Sequence, residues 1–309
     1  MGRGTKLFRA ALLTLAGNRA ANALAAKYGL RFGARRFIAG LTLDEALERT
    51  RELNEQGVAV TLDHLGESIA RLEEASKYVD AYLALLEGIS ESGTRASVSL
   101  KPTQMGLRLD EERCFANVRE IAGTAGRLGL SVTLDMEDSS CADATIGIAR
   151  RLRAEGLRNV GTVLQAYLYR SMADLETLTR EGVELRLVKG AYKESRRIAY
   201  PRLADVDDNF ARMIRSRLDS GVYTAIATHD EKIVARTIEY AAKRGVPRDR
   251  FEFQMLYGVR AAMQERLAKE GYTVRCYVPY GRMWYPYFVR RLAERPANLL
   301  FIVKNAFRR

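Results

Sequence analysis

Short runs rich in β-branched residues recur along the chain and alternate with segments whose apolar residues are spaced three or four apart. The runs are typical of strands, and the segments between them are typical of amphipathic helices. The eight predicted strands are Val58–Asp63, Ala96–Lys101, Leu130–Asp135, Val160–Gln165, Val183–Gly190, Val222–His229, Phe251–Leu256 and Tyr272–Pro279. Eight strand–helix units within about 250 residues predict an α/β fold, a (β/α)8 TIM barrel. A doubly wound sheet is the alternative, but no Gly-x-Gly-x-x-Gly motif follows any of these strands.

The predicted organisation is an N-terminal basic helical arm over residues 1–40, followed by one barrel domain over residues 41–309. The segment Met1–Arg36 holds eight Lys and Arg residues and no Asp or Glu. A signal peptide and a membrane-surface helix are alternatives for the arm, but its apolar run LFRAALLTLAG is short and lacks a following A-x-A site. After the arm, Thr42 is the predicted N-cap of a helix that stops at Gly57.

The alternation of side chains along the predicted strands separates an apolar face from a polar one. In Ala96–Lys101, for example, Val98 and Leu100 share one face, and Lys101 lies on the other. Apolar sets are expected to face the helices, so the polar sets face the barrel interior. The residues predicted to point inward are Asp63, Ser97, Ser99, Lys101, Ser131, Thr133, Asp135, Gln165, Arg186, Gln254, Arg275 and Tyr277. Burying so many polar groups without partners is costly, so we expect a polar ligand at the carboxyl ends of the strands, where this fold carries its active sites.

Two charged residues at neighbouring strand ends suggest a specific contact. Lys101 and Asp135 occupy equivalent inward positions, so we expect them to form an ion pair. The pair has two interpretations, a structural rim contact or a charged wall around a cofactor ring. Lys189 has the opposite parity, which argues against a Schiff-base lysine in the interior. His229 is a better site candidate than His64, although a structural role fits His229 equally well.

The last predicted helix follows the eighth strand and has Pro286 in its first turn. Its residues Tyr287, Arg290, Arg291 and Glu294 are spaced i, i+3, i+4 and i+7, so they share one polar face. Two guanidiniums beside a tyrosine suit a small carboxylate, because arginine presents a planar fork of donors. A solvated outer face is the alternative interpretation of the same pattern.

Composition excludes several classes of protein. The chain has 309 residues, of which 47% are hydrophobic, but no stretch of 18 uncharged apolar residues, so we expect no membrane-spanning helix. Three scattered cysteines predict reduced thiols and a cytoplasmic location. Two histidines leave no His-rich metal site, and we predict no structural metal. The net charge of +12 is spread along the chain without a nucleic-acid-binding motif, so we predict no nucleic-acid partner.

Several motifs occur in the order found in one known family. They are TLDHLGE at Thr61–Glu67, SLKPTQMGL at Ser99–Leu107, LDMED at Leu134–Asp138, LQAYL at Leu164–Leu168, RLVKGAY at Arg186–Tyr192, ATHD at Ala227–Asp230, FEFQMLYG at Phe251–Gly258 and the segment Arg275–Asn298. Through these motifs the chain resembles the proline dehydrogenase family, flavoenzymes with a distorted (β/α)8 barrel. The resemblance covers roughly Gly57 to Asn298 and is to the monofunctional form.

The resemblance also implies roles for individual residues. It implies that Arg290 and Arg291 bind the carboxylate of proline, with Tyr287 and Glu294 beside them. Tyr277 and Leu256 would pack around the pyrrolidine ring. The residues implied to act at the reacting centre are Lys101, Asp135 and Tyr277. The positions implied to bind FAD are Gln165, Arg186, Val188, Gly190, Tyr192, Thr228 and His229.

The activity that the resemblance implies is oxidation of L-proline to Δ1-pyrroline-5-carboxylate, with hydride transfer from the ring carbon to flavin N5. Implied partners are a quinone as electron acceptor, a separate pyrroline-5-carboxylate dehydrogenase, and the inner face of the membrane as a peripheral contact. Two alternatives stay open at this point. One is another flavin-dependent barrel enzyme, such as one resembling methylenetetrahydrofolate reductase. The other is a basic module that binds polyanions without catalysis.

Overall fold

Eight parallel strands close into a barrel in the order of the sequence, β1 to β8, with β8 pairing back onto β1. The computed structural model describes residues 36–66, 68–192 and 194–294, and for 290–294 it describes the backbone alone. The strands are β1 Ala59–His64, β2 Ala96–Leu100, β3 Val132–Leu134, β4 Val160–Gln165, β5 Leu185–Val188, β6 Thr224–Ala227, β7 Phe251–Leu256 and β8 Val274–Tyr280. Each predicted strand is present, so the predicted (β/α)8 barrel is confirmed.

Helices join the strands and surround the barrel. They are α1 Leu43–Glu55, α2 Glu73–Ser92, α3 Glu111–Arg127, α4 Ala142–Ala154, α5 Ser171–Arg180, α6 Leu203–Ser220, α7 Glu231–Arg244, α8 Ala261–Lys269 and α9 Trp284–Glu294. The first begins as predicted, because the Thr42 hydroxyl accepts from the amide of Glu45 and the Glu45 carboxylate accepts from the amide of Thr42. Such a capping box satisfies two amides that a helix start leaves open.

The main core lies between the outer face of the strands and the helices. Val98 and Leu100 of β2 are fully buried there, as are Leu85 and Leu86 of α2. Burial of each such side chain stabilises the fold by about 1.5–3 kcal/mol. The apolar side chains of the strands therefore face outward toward the helices, and the polar side chains that alternate with them face the barrel interior.

A second apolar cluster joins the two ends of the described chain at the mouth of the barrel, where the strands end. Phe37 and Ile38 pack with Trp284, Phe288 and Leu65. The backbone there is also paired: the Ala39 amide donates to Pro279 O and the Gly281 amide to Gly40 O, both at 3.0 Å. The predicted arm over 1–40 lies largely outside the described residues, and its helical conformation stays a prediction. Its last residues hold α9 against the barrel.

The three cysteines are buried and form no disulfide, as their spacing predicted. Among the described residues, no helix has both the length and the apolarity needed to cross a bilayer.

Candidate active site at the mouth of the barrel

A cavity of about 640 Å³ opens at the carboxyl ends of the strands. All the predicted site residues whose side chains the structure describes lie in its wall. They are Lys101, Asp135, Gln165, Arg186, Val188, Gly190, Tyr192, Thr228, His229, Leu256, Tyr277 and Tyr287. The parallel barrel brings them together because the strands all point toward this end, where α9 adds Tyr287.

Asp135 is the centre of the hydrogen-bond network in this wall. Its Oδ1 accepts from Arg186 Nη1 at 2.7 Å and from Ser99 Oγ at 2.8 Å. Its Oδ2 accepts from the Tyr277 hydroxyl at 2.7 Å. Burial and the adjacent carboxylate raise the pKa of Tyr277 well above its usual value, so the tyrosine remains a hydroxyl donor. The carboxylate thereby fixes three side chains that come from β2, β5 and β8.

The predicted ion pair of Lys101 with Asp135 is present at 4.0 Å, but Asp63 is the closer partner of the lysine. Lys101 Nζ donates to both carboxylate oxygens of Asp63 at 2.8 Å, whereas Asp135 Oδ2 is 4.0 Å away. The reason is that the oxygens of Asp135 are already occupied by Arg186, Ser99 and Tyr277. Burial opposes the charged form of Lys101, but Asp63 and Asp135 outweigh it and raise the lysine pKa above its usual value. Lys101 is therefore an ammonium group at neutral pH.

Three buried side chains in the wall, those of Arg186, Gln165 and Gln254, have atoms without hydrogen-bond partners among the described residues. Arg186 is 6% exposed, and its Nε and Nη2 are unpaired. Gln165 is 3% exposed; its Nε2 donates to Glu137 O at 2.9 Å, but its Oε1 is unpaired. Each unpaired buried group costs about 1–3 kcal/mol. The wall thus offers donors and an acceptor that a polar ligand can satisfy.

The loop after β5 forms another side of the cavity. Gly190 has φ +107°, and a Cβ there would lie 2.2 Å from the ring of Tyr167, so glycine is required. His229, at the end of β6, accepts from the Leu256 amide through Nε2 at 2.9 Å. That bond fixes the imidazole and leaves Nε2 without the proton, so the ring holds two neighbouring strand ends together.

Lys189 differs from its predicted orientation. Parity placed it away from the interior, but it lies in the cavity wall, with Nζ 2.6 Å from Asp207 of α6. β5 ends at Val188, so the alternation of a strand no longer governs the next residue. The ion pair holds the lysine at the rim.

Sequence reasoning missed several residues of the wall. Asp63 was predicted to point inward but was not predicted to pair with Lys101. Its position at the end of a predicted strand, like that of Lys101, could have indicated this pairing. Arg260 lies in the wall at the start of α8 with φ +56°, an unusual conformation for a residue other than glycine. No sequence pattern indicated Arg260. Across the described residues, no group of three or more His, Cys, Asp and Glu side chains is arranged to hold a metal ion.

The predicted carboxylate-binding residues fall on α9. Tyr287 is buried and lies in the cavity wall. Arg290, Arg291 and Glu294 are helical in backbone, but their side chains lie outside the described residues. Trp284 and Phe288 pack edge to face within the helix, with ring centroids 5.6 Å apart, and their packing with Phe37, Ile38 and Leu65 anchors the helix to the barrel.

A second polar layer occupies the barrel interior toward the amino ends of the strands, around a cavity of about 270 Å³. Its centre is Glu252, which accepts from Arg275 Nε at 2.9 and 3.0 Å and from the Tyr223 hydroxyl at 2.9 Å. We call Glu252, Arg275 and Tyr223 the lower layer, and Asp63, Ser99, Lys101, Asp135, Arg186 and Tyr277 the upper layer. The two layers confirm the predicted polar interior. Arg186 and Gln254 line both cavities.

Comparisons with known proteins agree with this site. The family model of proline dehydrogenase matches residues 46–304. Proline dehydrogenase 1 of Bacillus subtilis strain 168 is 43% identical over 303 residues, which cover 98% of this chain and 100% of that protein. Proline dehydrogenase of Deinococcus radiodurans is 41% identical over 304 residues, covering 97% of this chain and 98% of that one.

A solved structure shows the same fold. Proline utilization A from Bdellovibrio bacteriovorus, inactivated by N-propargylglycine, superposes with a TM-score of 0.80 at 26% identity. The match covers 87% of this chain and 33% of that longer one, so the likeness concerns one part of it. With the family model spanning most of its length and relatives above 40% identity, this chain belongs to the proline dehydrogenase family.

Proposed function

We propose that this protein oxidises L-proline to Δ1-pyrroline-5-carboxylate with FAD as its cofactor. The observation that carries the proposal is the upper layer together with its neighbour Gln165: a charged, buried network with open donors and an acceptor, in the wall of a cavity of about 640 Å³. Membership of the family supports the substrate.

The residues of the cavity fit a flavin. A flavin ring carries carbonyl acceptors and an N–H donor along one edge. Arg186 has unpaired donors and Gln165 an unpaired acceptor, so these two would hold that edge. Val188, Gly190, Tyr192, Thr228 and His229 would hold the remainder of FAD. When bound, FAD supplies the hydride acceptor, atom N5.

Substrate orientation would come from α9. Arg290 and Arg291 would bind the proline carboxylate, with Tyr287 and Glu294 beside them, and Tyr277 and Leu256 would pack on the pyrrolidine ring. Two guanidiniums on one carboxylate fix the substrate in one orientation, which converts binding energy into correct placement of the reacting carbon. The helix would also cover the mouth and exclude water.

The charged residues below the substrate have distinct tasks in this proposal. Lys101 holds its proton on Nζ because Asp63 and Asp135 raise its pKa, so it acts as a positive charge and not as a base. Asp135 positions Tyr277 and Arg186. The carboxylates of Asp63 and Asp135 are occupied by these partners, so the amine proton would leave through another acceptor.

We further propose that the electrons pass to a quinone, that the protein works in the cytoplasm with peripheral contact at the inner membrane face, and that a separate pyrroline-5-carboxylate dehydrogenase takes the product. The family relationship supports these assignments.

The decisive experiment is anaerobic addition of L-proline to the FAD-loaded protein. We expect the visible absorbance band of the oxidised flavin to disappear as L-proline is added. D-proline and L-alanine serve as controls for the geometry of the ring and the carboxylate. A flavin spectrum that persists at saturating L-proline would refute the proposed activity.

A further inference from the structure

Exposed large hydrophobic side chains are confined to one end of the barrel. Among the described residues they are Leu109, Tyr169, Tyr192, Ile198, Leu203 and Met283, and each lies in a loop that follows a strand or, for Leu203, at the start of the helix after such a loop. The helical flanks and the opposite end of the described barrel expose none. Apolar side chains collected on one face indicate an interaction surface.

Three of these residues, Tyr169, Tyr192 and Ile198, belong to two adjoining loops, those after β4 and β5, and Leu203 begins the helix that follows the second loop. The loops are joined: the Tyr169 amide donates to Ile198 O at 3.0 Å, and the Tyr169 hydroxyl donates to Arg196 O at 3.0 Å. The rings of Tyr169 and Tyr200 stack edge to face with centroids 4.6 Å apart. These contacts join the two loops, so their exposed side chains lie on one surface.

Positive charge is interleaved with the apolar side chains. Arg196 and Arg197 are exposed, adjacent to Ile198, and neither guanidinium has an ion-pair partner among the described residues. Two other arginines nearby are neutralised: Arg202 pairs with Asp205, and Arg170 pairs with Asp143 and Asp174. Two open positive charges therefore lie among aliphatic and aromatic side chains.

We propose that this surface docks the protein on an anionic lipid membrane. We call it the docking face, made of Tyr169, Tyr192, Arg196, Arg197, Ile198 and Leu203. Guanidiniums bind lipid phosphates, tyrosines lie at headgroup depth, and isolated aliphatic tips enter the acyl boundary. A protein partner, whose interface would also use tyrosine and arginine, is the alternative that the vesicle experiment tests. The net charge of +12 favours the same anionic partner.

Docking in this way has a consequence for electron transfer. Tyr192 belongs both to the docking face and to the wall of the cavity. A membrane bound at the docking face would therefore lie beside the mouth of the proposed active site, where a lipid-soluble quinone could approach. This consequence rests on the proposed function, whereas membrane docking itself does not require turnover.

The test is co-sedimentation of the full-length FAD-loaded protein with phosphatidylglycerol-containing vesicles and with pure phosphatidylcholine vesicles. The variant is Arg196→Glu/Arg197→Glu. The matched control is Arg158→Glu/Arg250→Glu, which makes the same charge change at exposed positions before β4 and β7, at the opposite end of the barrel. Each arginine near an anionic surface contributes about fivefold in partitioning, so the first variant should bind at least about 25-fold more weakly.

We expect the control to bind within about threefold of wild type, and all three proteins to reduce a water-soluble dye with proline at similar rates. Ile198→Ser/Leu203→Ser should lose the part of the binding that survives high salt, because that part comes from apolar insertion. Two results would overturn the docking face: an equal loss of vesicle binding in the variant and the control, or unchanged vesicle binding in the variant. Either result would indicate that binding comes from the overall positive charge of the protein or from the N-terminal arm. Altered oligomeric state in the variant with unchanged vesicle binding would also overturn it. Failure of the proposed activity is separate, because it appears as an unreduced flavin and leaves vesicle binding intact.

Discussion

The upper and lower layers of the barrel interior are both charged and buried, but only the lower one completes its own hydrogen bonds. Each carboxylate oxygen of Glu252 accepts two hydrogen bonds, from Arg275, Gln254 and Tyr223. In the upper layer Arg186 keeps two atoms unpaired, and the neighbouring Gln165 keeps one. Beside the lower layer, Gln254 keeps Oε1 unpaired, and this side chain also lines the upper cavity. The same chemistry therefore serves two purposes: the lower layer holds the strands together, and the upper layer is completed by a ligand. Substitutions in each layer should separate stability from activity.

The largest effect is expected for Asp135→Ala. The change removes the acceptor of Arg186 and Tyr277, and a buried charge left without its partner costs about 3–5 kcal/mol of unfolding free energy. Arg186, and not Lys101, is the residue left unpaired. We expect a loss of that size in urea denaturation and loss of proline-dependent flavin reduction. Asp135→Asn is the control that keeps the shape. Wild-type stability in Asp135→Ala would contradict the central role of this carboxylate.

Glu252→Ala should destabilise the protein by a similar amount, about 3–5 kcal/mol, because it leaves Arg275 buried without its carboxylate. The folded fraction should nevertheless bind FAD and oxidise proline at close to the wild-type rate. Glu252→Leu/Arg275→Met should recover much of the stability, since well-packed apolar residues can replace a buried pair. Denaturation and flavin content per folded molecule are the measurements. Loss of flavin from folded Glu252→Ala would show that the lower layer also serves the site.

A smaller and more selective effect is expected for Arg290→Ala and Arg291→Ala. Each removes a charge-assisted hydrogen bond worth about 1.5–3 kcal/mol, which corresponds to about 10–150-fold weaker proline binding. FAD content should stay near wild type, because the flavin is assigned to other residues. Michaelis constants measured beside Arg158→Ala, an exposed arginine at the other end of the barrel, provide the test. Near-normal values in both variants would defeat the assignment of the carboxylate site to α9.

The smallest effect concerns His64, which ends β1 outside both layers. Burial lowers the pKa of His64 below 6.5, although Asp63 opposes this. The unfolded state then binds more protons than the folded state as pH falls through 6.5, so this histidine contributes stability at neutral pH that is lost toward acid. The unfolding free energy of His64→Gln should fall less steeply between pH 7 and pH 5 than that of wild type. Identical slopes would mean that the imidazole titrates alike in both states.

The strands and their parity could be predicted because both follow from local periodicity. Eight β-branched runs appeared as eight strands, and Gln165, Arg186 and Tyr277 pointed inward as the alternation required. The predicted orientation of Lys189 was wrong for a local reason, because its strand ends one residue earlier, at Val188. Arg260 could not be found at all, since its position depends on an unusual backbone angle at the start of α8.

The sequence by itself determined the order of strands, the apolar outer face, the polar interior and the end of the barrel where the site would form. These properties depend on repeats of two and of about 3.6 residues, which act between near neighbours. Only the tertiary structure decided which side chains pair closely: Lys101 with Asp63, and Asp135 with Arg186 and Tyr277. Asp135 and Tyr277 are 142 residues apart in sequence, and hydrogen bonds depend on distances that exist only once the barrel has closed.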